Sequence, residues 1–360
     1  MKLSIDPKLL AGTVTAAARS LPQRPVIPVL SGLLLEAADD RITVSAFDYD
    51  IAHRSHAAAD VAEPGRVLLP GRVLAEVAKS LPTGVFVEVT ATDTEATLTC
   101  GRSEFVLPTL PADDFPALPE PPEPAGTVDG DVFVTAIHQV VTACSTDDTL
   151  PMLTGIRVDA DGDTLTLAAT DRYRIALRDL SWRPASASSI GKLVPGRILH
   201  DIARDLGHGP VTLAFNDQLA AFTTDTRQST IRLLDEEYID YRRRLGIDTP
   251  IVARVNAPAL VDAVKRVALV AERNTTIRLS FTAGEVLVQA GGADIGRGSD
   301  VVACELDGDI EIAFQSKYLL DALNAIDGQA DIGMTEPHQP ALITSEDGAY
   351  RNLTMAVRVA

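Results

Sequence analysis

The chain has 360 residues, of which 46% are hydrophobic, 23% charged and only 4% aromatic. That length suits two or three domains with aliphatic cores, and the composition excludes a disordered chain. A formal net charge of −18 argues, taken alone, against a polyanionic partner, and Cys100, Cys144 and Cys304 form no CxxC pair that would suggest zinc or a disulfide framework.

No apolar run reaches the ~18–20 residues that a membrane span requires. The opening Met1-Lys2-Leu3-Ser4-Ile5-Asp6-Pro7 lacks the apolar core of a secretory signal. A cytoplasmic protein that does not engage a membrane is expected.

In chain order, an amphipathic helix is predicted over Asp6–Ser20, followed by a strand pair between Val29 and Ile51. A second helix follows over Leu69–Pro82, then strands in VFVEVTA (Val85–Ala91) and ATLTCGRSEFVLPTL (Ala96–Leu110). The proline-rich stretch Pro116–Pro124 is an extended connector.

The pattern then returns. Asp131–Cys144 reads as a helix, Met152–Ile175 as a strand pair and Val194–Gly207 as a helix. After a break at Gly246–Pro250 come a helix over Asn256–Val270, a strand pair over Thr276–Ile295 and a helix over Phe314–Gly328. Gly32 and Gly155, and Asp48 and Asp171, recur at one constant interval; the third copy loses the Asp. Arg72, Arg197 and Lys317 hold one repeated place near a helix start. The chain therefore reads as three copies of one α+β domain, spanning 1–120, 126–246 and 250–360, each with two helices and curved antiparallel sheets.

An enzyme needs a constellation of reactive groups, and none is visible. His53 and His56 point to opposite faces of a strand, and His138, His200, His208 and His338 are scattered. Gly291, Gly292, Gly296 and Gly298 form a loop without the flanks of a phosphate cradle, and Asp161-Gly162-Asp163 suits a hairpin turn. Neither catalysis nor a cofactor is expected.

Several strings carry a closer resemblance. LPQRPVIPVLSGLLLEA (Leu21–Ala37), GRSEFVLPTLPADDFPALP (Gly101–Pro119), ATDRYRIAL (Ala169–Leu177), DYRRRL (Asp240–Leu245) and MAVRV (Met355–Val359) stand in order along the chain. Together they resemble the bacterial DNA sliding clamp, the β subunit of the replicative DNA polymerase III holoenzyme. The resemblance implies a DNA-clamp fold and a head-to-tail homodimer whose six domains form a ring around duplex DNA. It implies a processivity factor, with Phe105 and Leu107 of one copy meeting Leu269 and Val270 of the other. Arg24, Arg72, Lys79, Arg197, Arg204, Lys265, Arg266 and Lys317, with Arg19 beside them, become candidates for sequence-independent phosphate contacts, so the acidic total becomes an expectation of a basic lining.

The resemblance also implies a peptide pocket. Leu153, Thr170, Arg172, Tyr173, Arg174, Ile175, Ile239, Arg243, Arg244, Pro340, Leu353, Met355, Ala356, Val357 and Arg358 would line it. It would tether the replicative DNA polymerase α subunit, repair polymerases and mismatch-repair proteins, with a clamp loader as a further partner. This sequence departs from the family pattern by lacking prolines at Ile239 and Ala356 and by carrying guanidinium groups at Arg172 and Arg244. Those departures, with a composition suited to a GC-rich actinobacterium, raise an alternative: a specialised paralogue, acting as substitute or decoy, that confers resistance to a clamp-binding peptide inhibitor.

Overall fold

The computed structural model describes all residues except 187–188, 271–275, 293–295, 307 and 359–360. The end of the third strand pair and Val359 of the last matching string therefore lie outside the described residues. The chain forms two compact units. One holds Met1–Asp131, Arg183–Ser186 and Asp201–Leu233; the other holds Val132–Trp182, Ala187–His200 and Leu234–Ala360.

The first copy runs β1 (Lys2–Ile5), α1 (Pro7–Ala18), β2 (Gly32–Ala38), β3 (Arg41–Phe47), β4 (Ile51–Ala58), β5 (Asp60–Glu63), β6 (Gly65–Pro70), α2 (Gly71–Ser80), β7 (Val87–Ala91), β8 (Glu95–Cys100) and β9 (Ser103–Pro108). Asp6 starts α1 by accepting from Lys8 N and Leu9 N at 2.8 and 3.3 Å, and Pro7 fits the first turn, where no N–H is needed. Leu10, Val14 and Ala17 recur on one face of α1 and bury against Leu3, Ile5 and Leu33.

The second copy runs β10 (Pro124–Asp129), α3 (Gly130–Val141), α4 (Pro151–Thr154), β11 (Gly155–Asp161), β12 (Thr164–Thr170), β13 (Arg174–Ser181), β14 (Arg183–Pro184), β15 (Ile190–Pro195), α5 (Gly196–Ala203), β16 (Pro210–Phe215), β17 (Leu219–Thr223) and β18 (Arg227–Arg232). A short α6 (Tyr241–Leu245) follows. The third copy has β19 (Ile251–Asn256), α7 (Ala257–Val267), β20 (Thr276–Thr282), β21 (Glu285–Gly292), β22 (Gly296–Glu305), β23 (Ile310–Gln315), α8 (Ser316–Leu323), β24 (Gln329–Met334), β25 (Ala341–Ser345) and β26 (Tyr350–Thr354). In this copy the single β22 takes the places of β4 and β5, pairing both β21 and β19.

All pairings are antiparallel, and one pattern repeats. The strand orders are β5-β1-β7-β8-β9, then β14-β10-β16-β17-β18-β4-β3-β2-β6, then β15-β11-β12-β13-β26-β25-β24-β19-β22-β21-β20-β23. Two seams join copies: β18 pairs with β4, and β26 with β13. The repeated glycine has a packing reason. A Cβ at Gly32 would lie 2.7 Å from Leu68, and one at Gly155 would lie 2.7 Å from Leu193. The repeated Asp closes the turn before β4 or β13. Asp48 accepts from Asp50 N and Ile51 N, as Asp171 does from Tyr173 N and Arg174 N.

Two sequence expectations need correction. The glycine-rich stretch is strand on both flanks, with Gly291 opposite Arg297 and Gly292 opposite Gly296; glycine at 291 lets the two backbones approach where a Cβ would meet Gly296 O at 2.1 Å. The six histidines are also less scattered than their spacing suggests, because the rings of His138 and His200 meet edge to face at 5.2 Å. Among the described residues no third donor completes a metal site there.

Candidate functional site

Strand alternation builds an apolar cluster that includes Ile175, Ile239 and Leu353 of the expected pocket set. Ile175 and Leu177 lie two apart on β13 and face one way. They pack with Ala168, Leu353, Tyr241 and Leu245, and with the half-buried Tyr238, Ile239, Ile247 and Leu342. Asp240 caps α6 by accepting from Arg243 N at 3.1 Å, and the i, i+4 pair Tyr241 and Leu245 turns one face of that turn inward. Tyr241 donates its hydroxyl to Asp159 at 2.5 Å; burial and this acceptor push its ionisation well above the ordinary phenol range.

Beside this cluster, Met355 N donates to Tyr173 O at 2.9 Å, so two half-exposed apolar side chains stand side by side. Tyr173 stacks on Tyr318 with ring centroids 6.2 Å apart. Thr170 is buried and donates its hydroxyl to Arg174 O at 2.7 Å. Arg172 occupies the left-handed region at φ 81°, and its side chain is exposed.

Arg174 departs from the expectation of a pocket wall. It is 3% exposed; its guanidinium bonds Asp171 at 3.0 Å, Asp321 at 2.7 Å and the carbonyl of Thr142, and lies 4.5 Å from the centroid of the Tyr318 ring. A buried cation needs such a set of acceptors, so this side chain ties together β13, α3 and α8. Leu153 is buried on α4 outside the Ile175–Leu353 cluster, Pro340 is half-buried, and Ala356, Val357 and Arg358 continue past β26 as non-strand backbone. The cluster also holds Leu177, Tyr241, Leu245, Ala168, Tyr238, Ile247 and Leu342, which the expected pocket set does not include. The signal for the first three was present in period-two spacing on a strand and i, i+4 spacing behind an Asp cap. A separate groove of about 280 Å³, lined by His138 and Gln139 of α3, Asp321 of α8 and Asp327 beyond it, contains none of the expected pocket residues.

All eight candidate phosphate contacts are exposed. Lys79 pairs with Glu76 at 2.9 Å, Arg266 with Asp300 at 2.6 Å and Lys317 with Asp321 at 2.9 Å. Exposed pairs of this kind hold weakly and exchange readily for another anion. Arg72 donates to Pro22 O at 3.2 Å, while Arg24, Arg197, Arg204 and Lys265 meet no carboxylate at ion-pair distance among the described residues. Arg19 is the exception. It pairs with the buried Asp205, which also takes Arg227 at 3.0 Å, so it serves the β4–β18 seam.

The interface candidates divide. Leu269 is 84% exposed on the short 3-10 turn after α7, and Val270 is half-buried. Leu107, however, is only 7% exposed and belongs to the first copy's own core, with Phe105 packed at its margin. Alternation along β9 turns Val106 outward in its place, 51% exposed.

Family models described as DNA polymerase III beta subunit, N-terminal, central and C-terminal domains, match residues 1–119, 127–240 and 246–358. The chain belongs to the sliding-clamp family. By that membership it is a sliding clamp of DNA replication, a beta subunit of DNA polymerase III. It is 42% identical to a beta sliding clamp of Streptomyces coelicolor, with both chains fully covered. It is also 41% identical to the beta sliding clamp homolog GriR of Streptomyces muensis, over 99% of each. Among solved structures, a Pseudomonas aeruginosa sliding clamp bound to griselimycin matches all of both chains with TM-score 0.94 and 27% identity. Among the described residues no helix of this clamp is long and apolar enough to cross a membrane.

Proposed function

We propose that this chain works as a head-to-tail dimeric ring of three-domain subunits (1–120, 126–246 and 250–360) that encircles duplex DNA in the cytoplasm. One observation carries the ring. At both seams, the last strand of one copy pairs with the fourth-strand position of another, β18 with β4 and β26 with β13. The same two positions remain open once each. Among the described residues, β9 pairs only with β8 among the strands, and β22 has β21 alone along Gly296–Ala303. Open edges on a repeated pattern invite the same pairing from a second copy, with Phe105, Val106, Leu269 and Val270 beside it. A heterologous contact that closes makes a ring.

The eight exposed cations are our candidates for the DNA-facing set, and their weak pairing suits a protein that slides. The Ile175–Leu353 cluster, with Tyr173 and Met355 at its margin, is our candidate docking place for partner peptides. The polymerase α subunit, repair polymerases and mismatch-repair proteins would dock there, and a clamp loader would open the ring. The test is topological. Loaded onto nicked circular DNA, the protein should co-elute with the circle and be lost when the circle is cut; loss from the intact circle would reject the ring.

A second reading concerns inhibitor resistance. The full-length similarity to GriR and the griselimycin-bound relative favour it, as do Ile239, Arg244 and Ala356 where the family pattern differs. A clamp of this kind should bind a polymerase-tail peptide normally and a cyclic-peptide clamp inhibitor weakly. Equal, ordinary affinity for both would end this second reading.

A further inference from the structure

The basic residues of this acidic chain fall into two groups. In the second compact unit, Arg157, Arg174, Arg178 and Arg351 are each met by a carboxylate, from Asp159, from Asp171 and Asp321, from Asp347 and from Asp179. Arg172, Arg243, Arg244 and Arg358 are exposed and have no ion pair among the described residues. These four sit on the elements that carry the apolar cluster: the turn between β12 and β13, α6, and the backbone following β26.

Local structure fixes where they stand. Burial of Tyr241 and Leu245 leaves Arg243 and Arg244 on the outward side of α6, and the Asp240 cap spends its carboxylate on the Arg243 backbone N–H. Arg172 keeps a long side chain at a backbone conformation that disfavours one, next to exposed Tyr173. Asp147 is close enough to feel Arg172 electrostatically but makes no ion pair with it.

From this arrangement we infer that the docking surface selects peptides bearing acidic side chains beside an apolar anchor. The inference rests on the peptide-docking role proposed above. An apolar anchor suits the margin of the buried cluster, where Tyr173 and Met355 are exposed and Ile239, Ile247 and Leu342 half-buried, and flanking carboxylates suit the guanidinium forks, which donate to them in bidentate fashion. A phosphate backbone would suit the arginines but has no use for the apolar cluster between them.

The test measures fluorescence anisotropy of the full chain with short dye-labelled peptides that share a leucine–phenylalanine anchor. Their flanks are glutamate in one and glutamine in the other, and a third peptide has the anchor replaced by alanine. At low salt the glutamate peptide should bind about tenfold tighter than the glutamine peptide, and the gap should fall below about twofold near 0.5 M salt. The double variant Arg172→Gln, Arg244→Gln should remove most of the gap, by weakening the glutamate peptide several-fold more than the glutamine peptide. Equal binding of the two flanked peptides overturns the selectivity while leaving the docking role intact. A preference that survives undiminished in the double variant, or arginines that respond only to duplex DNA in competition, also overturns it. Binding that ignores loss of the anchor overturns the docking role, and the inference with it.

Discussion

The two seams within this chain share one strand pairing yet differ in what they leave on the surface. At the first, Phe47 occupies the position that Thr170 holds at the second, and Ala52 stands where Ile175 stands. Phe47 packs with Leu30 and Ala52, and the half-buried Phe115 and Leu118 pack against them. At the second seam the smaller Thr170 turns its hydroxyl to the backbone, and the connector supplies Tyr238, Ile239 and Ile247 only partly buried. Even the turns correspond, with Tyr49 at φ 75° and Arg172 at φ 81°. The lesson is local: at one position of a repeated strand pair, a phenyl ring packs the first seam, whereas at the second a threonine bonds the backbone and a larger apolar cluster forms beside it.

The polar halves of the seams differ as well. The second is centred on the buried Arg174 cation. The first has a buried neutral imidazole, with His53 Nδ1 2.8 Å from Ser229 Oγ, next to the Arg19–Asp205–Arg227 cluster. Arg174→Ala should therefore be the most damaging substitution, lowering stability by about 3–5 kcal/mol, because Asp171, Asp321 and the Thr142 carbonyl lose their shared donor. Denaturant unfolding reads this directly, and a loss below about 1 kcal/mol would show that the cation does not hold the seam.

Exchanging the side chains that distinguish the seams is the sharper intervention. Phe47→Thr should cost about 3 kcal/mol by leaving a void under Phe115 and Leu118. Thr170→Phe should cost about 1–3 kcal/mol and weaken partner-peptide binding by roughly thirtyfold, as the ring covers the apolar surface. Unchanged peptide affinity in a folded Thr170→Phe protein would separate the docking surface from this position.

The smallest effect is a pH dependence confined to the first seam. Burial drives the His53 pKa down to about 4 from its ordinary value of 6.5. The unfolded chain then binds the extra proton first, so the contribution of neutral His53 is complete above pH 6.5 and is lost as pH falls towards 4. Between pH 7.5 and 5 the protein should lose about 2 kcal/mol that His53→Gln does not lose. The comparison of urea midpoints for the two proteins isolates this from the carboxylates, and parallel pH profiles would assign the loss elsewhere.

Much of this organisation was legible in the residues. The interval linking Gly32 to Gly155 and Asp48 to Asp171 tied the first two copies together, because a repeated packing contact and a repeated turn need the same residue, and the period of the apolar positions added the third copy of the α+β unit. Exposure of the helix-borne cations followed from amphipathic spacing. Only the tertiary structure decided which cations are already committed: Arg174 and Arg19 look like any surface arginine until distant carboxylates, Asp321 and Asp205, are brought against them. It also decided that Leu107 faces inward while Val106 faces out, and that β9 and the Gly296–Ala303 stretch of β22 each have one strand partner among the described residues. Side-chain period and charge are properties of neighbours in sequence, whereas burial, pairing and free edges depend on contacts between residues far apart in the chain.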